Sequence, residues 1–179
     1  MSWTWTRARA RFHFGYKSCT LLITQNNLAS SYEVLGRNDD VLRMRRDVYS
    51  GYLELLGEEN EVTLRAAFNC AITLKALDRF EEAKALMRET IPVARRVLGE
   101  GKQLTLKMQW IYAVALCDDT GATLDDFREV VTTLEETARA ARRKLGGTHP
   151  GTVEIEGCLR NARAVLRDKE HSLSTTKKT

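Results

Sequence analysis

Apolar side chains recur at intervals of three and four residues along most of this chain. In the central region a first stripe of this kind is followed, after the polar break Asp78-Arg79, by a second. This spacing places side chains on one face of an α-helix, and a short connection makes two consecutive helices antiparallel. The pattern predicts a helix pair whose stripes are Leu64, Ala67, Phe68, Ala71, Leu74 and Leu77, then Phe80, Ala83, Leu86, Met87, Ile91, Ala94 and Leu98.

The helix pair is part of a repeat. The dipeptide Leu-Gly is followed six residues later by Thr and an apolar residue at three places, with periods of 42 and 47 residues. The five extra residues lie around 118–122. Periods of this length indicate modules that bury their apolar faces against their neighbours. We therefore predict an all-α solenoid of antiparallel helix pairs, about three repeats with a C-terminal capping helix, marked by Leu56-Gly57, Leu98-Gly99 and Leu145-Gly146.

Charges and special residues support the same helix limits. Acidic pairs stand at the starts of the second helices, and basic residues stand near the ends of two of them, as the helix dipole favours. Thr123 with Asp126 resembles a capping box. Gly99 is placed to end its helix, and Pro92 predicts a kink but no break. The acidic pairs are Asp39-Asp40, Glu81-Glu82 and Asp125-Asp126.

Composition and charge narrow the function classes. The 179 residues are 43% apolar and 29% charged, which is typical of a folded soluble domain. The net charge of +4 comes from residues 1–32, which carry basic but no acidic residues, so the repeat region is neutral. A neutral surface argues against nucleic acid as a partner. No apolar run is long enough to cross a membrane, so we expect no membrane partner.

Catalytic and metal-binding patterns are absent from the sequence. Four cysteines occur without a CxxC pair, and His13, His149 and His171 lie in no metal or nucleophile motif. We therefore predict no enzyme activity, no cofactor and no metal site. Isolated cysteines favour a reducing compartment, and we expect a cytoplasmic protein.

Several segments resemble the long tetratricopeptide repeats of kinesin light chains. They are Asn-Asn-Leu-Ala at 26–29, Arg-Phe-Glu-Glu-Ala at 79–83, Ile-Pro-Val-Ala-Arg-Arg-Val-Leu-Gly at 91–99 and Gly-Thr-His-Pro-Gly-Thr-Val at 147–153. The resemblance covers about residues 15–167. It implies a right-handed superhelix whose first helices line a concave groove for peptides.

The resemblance also implies which positions face that groove. They are polar in the first copy, mixed in the second and apolar or aromatic in the third. Amides can bind a peptide backbone, and aromatic side chains can anchor a ligand. The alternative is that the aromatic side chains pack between repeats. The groove candidates are Asn26, Asn27, Phe68, Asn69, Trp110 and Tyr112.

The two ends lie outside the repeats. Residues 1–18 alternate with a period of two and are Arg-rich, which predicts an irregular or disordered segment, with an organelle-targeting segment as the alternative. Residues 170–179 are predicted to be a disordered tail. The repeat domain spans residues 19–169, with repeats at 19–57, 62–99 and 104–146 and a capping helix at 151–168.

Two functional hypotheses follow. In the first, the chain is a protein-interaction module or scaffold that binds a peptide or helix of another protein. In the second, it is a fragment or appended repeat array of a larger protein with a structural or oligomerisation role. The first repeat has no helix pair before it, which leaves an apolar face for self-association.

Overall fold

A run of helices forms the whole described structure. The computed structural model describes residues 3–119 and 121–176, with side-chain environments for residues 19–119 and 121–172. Over these residues there is no strand, so the prediction of an all-α repeat fold is confirmed. The helices are α1 (Trp3–Val34), α2 (Asn38–Leu56), α3 (Glu61–Ala76), α4 (Phe80–Leu98), α5 (Gln103–Asp118), α6 (Leu124–Leu145) and α7 (Pro150–Thr176).

Glycine ends each second helix, as the Leu-Gly repeat predicts. Gly57, Gly99 and Gly146 follow α2, α4 and α6 directly, with φ of +81°, +90° and +92°. A Cβ atom strains the backbone at these angles. Each glycine N–H donates to the carbonyl oxygen four residues earlier, at 3.0 to 3.1 Å, and so caps its helix.

The start of α6 and the course of α4 also agree with the sequence. Thr123 Oγ1 accepts from the N–H of Asp126 at 3.2 Å, and the Asp126 carboxylate accepts from the N–H of Thr123 at 2.8 Å. This reciprocal pair is the predicted capping box. Helix α4 continues through Pro92 without a break, as expected.

Both ends of the chain differ from the sequence prediction. Helix α1 begins at Trp3, where an irregular segment was expected, and α7 continues to Thr176, beyond the expected start of the tail. A lone strand leaves its backbone groups unpaired, whereas a helix pairs them within the segment. The alternating Arg and Ala of residues 7–11 are also strong helix formers. Residues 1–2 and 177–179 of these two predictions lie outside the described residues.

Packing divides the chain into two compact units, a first unit up to Thr73 and a second unit from Leu74. In the first unit, α1 packs along α2. Leu22, Val48, Tyr52 and Ala66 form a buried cluster there, contributed by α1, α2 and α3. Thr63 at the start of α3 donates its hydroxyl to the carbonyl of Tyr52, 3.3 Å away.

In the second unit, α4, α5, α6 and α7 pack each against the next. Helix α5 lies in the centre of this packing, because residues around most of its circumference are buried. A helix that is apolar on nearly all sides is a core helix. Its buried apolar residues are Leu104, Leu106, Met108, Ile111, Tyr112, Ala113, Ala115 and Leu116.

The five-residue insertion after α5 is fastened to α4 by a buried ammonium group. Lys84, only 3% exposed, places its Nζ 2.7 Å from Asp119 and 2.5 Å from Glu81. Burial acts to lower the pKa of Lys84, but the hydrogen bonds to the two carboxylates outweigh it and raise that pKa. The same contact with Lys84, helped by the N–H of Gly121, lowers the pKa of Asp119. The insertion is therefore held by an ion pair.

Candidate functional site

Three asparagines of the first unit form what we call the amide face: Asn26, Asn27 and Asn69. Asn26 and Asn27 lie on α1 and Asn69 lies on α3. Asn27 is exposed, and the other two are half-buried. Nδ2 of Asn69 donates to Oδ1 of Asn26 at 3.5 Å. A side-chain amide can form up to four hydrogen bonds, so this long contact leaves donors and acceptors for a ligand backbone.

The backbone of Asn69 is held in place by the buried guanidinium group of Arg45. Arg45 of α2 is 6% exposed, and it donates to the carbonyl oxygen of Asn69 at 3.2 Å. It also donates to the hydroxyl of Thr73 and to the Glu33 carboxylate, the latter at 2.7 Å. These contacts join α1, α2 and α3. The turn of α3 that carries Asn69 is therefore fixed by a charge-assisted hydrogen-bond network.

Phe68 precedes Asn69 on α3 and is half-buried. Part of the ring is thus accessible at the border of the amide face, while the rest is packed. The two predicted roles for this side chain, ligand contact and packing, are both compatible with this position.

In the second unit, Trp110 is the accessible aromatic residue among the predicted groove positions. It is half-buried on α5, and its indole Nε1 donates to Sγ of Cys158 on α7 at 3.4 Å. Nearby, burial first and then Asp118 and Cys158 raise the pKa of the Cys117 thiol to about 11. That thiol is therefore protonated and unreactive at neutral pH.

Tyr112 occupies a different place from the one expected. Its side chain is 4% exposed, and its hydroxyl accepts from Arg88 Nε at 2.7 Å and donates to Glu129 at 2.5 Å. Burial and the hydrogen bond to Glu129 raise its pKa to about 12. Position 112 is two residues from Trp110, so on a helix it points to a different side. Tyr112 therefore joins α4, α5 and α6 inside the second unit, and we withdraw it as a groove candidate.

Sequence reasoning missed the role of Arg45, although a signal was present. Arg45 stands at helical spacing among Val41, Val48 and Tyr52, which are all buried on α2. A charged residue inside an apolar stripe must find partners when it is buried. Its partners lie 12 to 28 residues away in the sequence, so spacing alone cannot identify them.

Comparison with known proteins agrees with this architecture. The sequence model of the tetratricopeptide repeat family matches residues 20–106. The recognition of such repeats from the sequence is therefore confirmed for this region, which is similar to tetratricopeptide-type helical repeats. Repeats of this family are typically non-enzymatic scaffolds for protein interaction. No curated protein gives a significant match to the whole sequence.

Solved structures of kinesin light chain-type repeats share the fold. A Podosopora anserina protein described as a kinesin light chain with nearly identical TPR-like repeats superposes with a TM-score of 0.70 and 20% identity, covering 80% of this chain and 66% of that one. A variant of that protein gives a TM-score of 0.52 and 15% identity over 89% of this chain and 93% of that one. This chain thus spans just under two thirds of the first of these structures. At such identities the likeness shows the fold. None of the described helices is both long and apolar enough to span a membrane.

Proposed function

We propose that this chain is a protein-interaction module in which the amide face binds an extended peptide segment of a partner protein. The proposal includes the organisation into three repeats, at about 19–57, 62–99 and 104–146, with a capping helix. It also includes a cytoplasmic location, which is supported by four free cysteines, since thiols persist in reducing compartments.

The observation that carries the proposal is the Asn26–Asn69 pair on its fixed support. Two amides from different helices meet at one point of the surface, beside the exposed Asn27. The Arg45 network fixes the backbone beneath Asn69 before any ligand arrives. A preorganised polar face loses little conformational entropy on binding, which favours affinity. Side-chain amides recognise a peptide backbone whatever its side chains are.

Trp110 is proposed as a contact residue of the second unit. Large aromatic side chains with a polar group dominate many protein interfaces. Its indole is partly accessible, and its N–H is already satisfied by a weak sulfur acceptor. A ligand oxygen can replace that acceptor with a gain in hydrogen-bond strength.

The test uses peptides selected from a random displayed library against the full chain. We expect the double variant Asn26→Ala with Asn69→Ala to weaken the best selected peptide at least about tenfold, the effect of losing hydrogen bonds at a buried contact. Fluorescence anisotropy measures the affinity, and circular dichroism checks the fold. The matched control is Asn161→Ala, an exposed asparagine of α7 outside the amide face. Equal affinities for both variants and the native chain would overturn the assignment.

A second candidate role is self-association through α1. Leu21, Leu28 and Val34 on this helix are 66%, 44% and 88% exposed, which is unusual for large aliphatic residues on a helix that also packs in a core. This observation favours the structural or oligomerisation role of a repeat array. Light scattering on the full chain separates the two hypotheses. A monomer that binds the selected peptides supports the interaction module alone, and a stable dimer supports the second role.

A further inference from the structure

A crevice between α6 and α7 in the second unit combines an apolar floor with charged side chains around it. It has a volume of about 590 Å³. Its apolar floor contains Ala138 and Leu159, which are 7% and 9% exposed. Four arginines and two glutamates surround this floor: Arg139, Arg142, Arg160 and Arg163 with Glu135 and Glu156. We call it the α6–α7 notch.

Within the described residues, two of these four arginines have no carboxylate partner. Arg142 pairs with Glu156 at 2.7 Å, and Arg163 pairs with Glu135 at 2.7 Å. Arg139 donates only to the backbone carbonyl of Glu135, at 3.3 Å, and Arg160 has no ion pair among residues 19–119 and 121–172. The notch therefore has an uncompensated charge of two guanidinium groups beside an apolar floor.

The preceding repeat shows what fits such a crevice. One period of 47 residues earlier, α4 and α5 take the places of α6 and α7, and helix α6 packs on α5 and contacts α4 through side chains. Its Glu129 and Glu136 reach Arg88 and Arg95 of α4, at 3.5 Å and 3.0 Å. Its apolar side packs on α5. Within the second unit, therefore, a crevice of this kind is filled by an amphipathic helix with acidic side chains at its edge.

The notch differs from that occupied crevice at several positions, and at two of them an exposed arginine replaces a buried apolar residue. Ala113 and Leu116 of α5, both buried, correspond to Arg160 and Arg163 of α7, both exposed. An apolar helix of the kind that continues a solenoid would bury both guanidinium groups, and the burial of Arg160, which has no carboxylate partner among the described residues, is strongly unfavourable. A helix with acidic side chains at the same places would pair with them. The replacement of apolar residues by arginines therefore favours an occupant with acidic side chains.

We propose that the α6–α7 notch docks an acidic amphipathic helix of a partner protein. Its apolar residues cover Ala138 and Leu159, and its carboxylates pair with Arg139 and Arg160. Residues 173–179 contain two lysines and no acidic residue, so this segment lacks the complementary charge. This site is separate from the amide face, and either can exist without the other.

The experiment uses a labelled peptide of residues 124–138, an acidic segment of the helix that fills the equivalent crevice. The peptide is held helical by a side-chain crosslink on its outward side, and its binding to the full chain is followed by fluorescence anisotropy. We expect saturable binding that Arg139→Gln with Arg160→Gln weakens about tenfold, the combined effect of two surface ion pairs. A peptide with its three glutamates changed to glutamine should bind equally weakly.

The matched control is Arg167→Gln, an exposed arginine of α7 outside the notch. It removes a positive charge from the same helix, and the affinity should change by less than about twofold. Absence of saturable binding, or equal weakening by the control and by the notch variant, overturns the proposal and leaves the notch as a solvated polar end of the solenoid. Selected peptides that depend on Asn26 and Asn69 should bind the notch variant normally. The two sites are thereby tested independently.

Discussion

The same repeat position holds a buried charged residue in the first unit and buried apolar residues in the second. In the first unit Arg45 occupies this position on α2, at 6% exposure. In the second unit the corresponding residues are Met87 on α4 and Leu134 on α6, both fully buried. A guanidinium group thus lies at the place where the second unit has an apolar side chain. The first unit has a polar centre, and the second has an apolar one.

The partners of this position change together with it. Glu33, Asn69 and Thr73 supply oxygen acceptors to Arg45 in the first unit. Glu33 and Thr73 accept through their side chains, and one period of 42 residues later their places hold Lys75 and Ala115, neither of which offers a side-chain acceptor. A buried charge without acceptors is strongly unfavourable, so the residues of the network occur as a set. The comparison shows that the buried residue at this position and its partners change together from one repeat to the next.

The difference also separates two roles. Buried hydrogen-bonded ion pairs add little net stability compared with well-packed apolar residues. They do fix orientation, and the Arg45 network orients the turn that carries Asn69. We infer that the first unit gains a defined polar surface, whereas the second unit gains more stability from packing. Three substitutions test this division.

The largest effect is expected for Leu134→Ala in the apolar centre. Leu134 has no exposed surface, so truncation loses the transfer free energy of its methyl groups and leaves a cavity. Such changes lower the free energy of unfolding by about 2–5 kcal/mol. Chemical denaturation measures the loss, and hydrogen exchange of the α4–α7 amides should become faster. The control Val153→Ala removes a half-exposed valine of α7 and should change the stability by less than about 1 kcal/mol. Similar losses for both variants would contradict the apolar centre.

A smaller effect is expected when the polar centre is broken. Arg45→Ala removes the ion pair and leaves a cavity, and we expect a loss of about 2–3 kcal/mol, below that for a fully buried pair because Glu33 is 42% exposed. Arg45→Met introduces the residue type that the second unit has at this place. It also removes the buried Nε of Arg45, which has no hydrogen-bond partner in the described part of the chain.

For Arg45→Met we expect a loss of less than about 1 kcal/mol, because the new side chain fills the volume and Glu33 remains accessible to water. Thermal and urea unfolding give both values. The control is Arg43→Ala, an exposed residue of the same helix with an expected change below about 0.5 kcal/mol. Were the methionine variant as unstable as the alanine variant, the polar and apolar centres could not be regarded as interchangeable.

Much of the fold could be predicted from the sequence because it depends on local patterns. The ends of α2, α4 and α6 follow from glycine conformation, and the start of α6 follows from a side-chain contact over three residues. The beginning of α1 could not be predicted from its period of two. Alternation favours a strand only if another strand is available to pair, and the described chain contains none.

The candidate site was less accessible to sequence reasoning than the fold. Asn26 and Asn69 are 43 residues apart, one more than the repeat period of 42, and their juxtaposition follows from that period because equivalent regions of neighbouring repeats lie side by side. The burial of Tyr112 depends on Arg88 and Glu129, which lie 24 and 17 residues away on other helices. Contacts between helices at such separations leave no periodic pattern. The arginines of the α6–α7 notch that have no carboxylate partner within the described residues could not be predicted for the same reason, because the ion pairs between α6 and α7 form only when these helices pack together.

An effect smaller than that of Arg45→Ala, and one that also depends on pH, concerns the ion pair that fastens the insertion of the second unit. Asp119→Asn removes a charge-assisted hydrogen bond to Lys84, whose side chain is 4% exposed. We expect a loss of about 1.5 kcal/mol at neutral pH, measured by urea denaturation. The control Asp118→Asn breaks a more exposed pair with Lys75 and should lose less than about 1 kcal/mol.

The pH dependence gives the sharper test. The pKa of Asp119 is lowered in the folded chain, so the unfolded chain binds its proton first as the pH falls. The contribution of Asp119 is therefore complete above the ordinary aspartate pKa of about 3.9 and disappears as the pH falls through the lower folded value. At the alkaline end, Lys84 has a raised pKa, and its contribution disappears only as the pH rises through that value. The stability difference between the native chain and Asp119→Asn should stay constant from about pH 5 to pH 9 and shrink in acid below about pH 4. A difference that persists unchanged in acid would mean that Asp119 acts through its hydrogen bond to Gly121 and not through the charge on Lys84. The attachment of the insertion to α4 would then not depend on an ion pair, and a buried charge would contribute to stability only in the first unit.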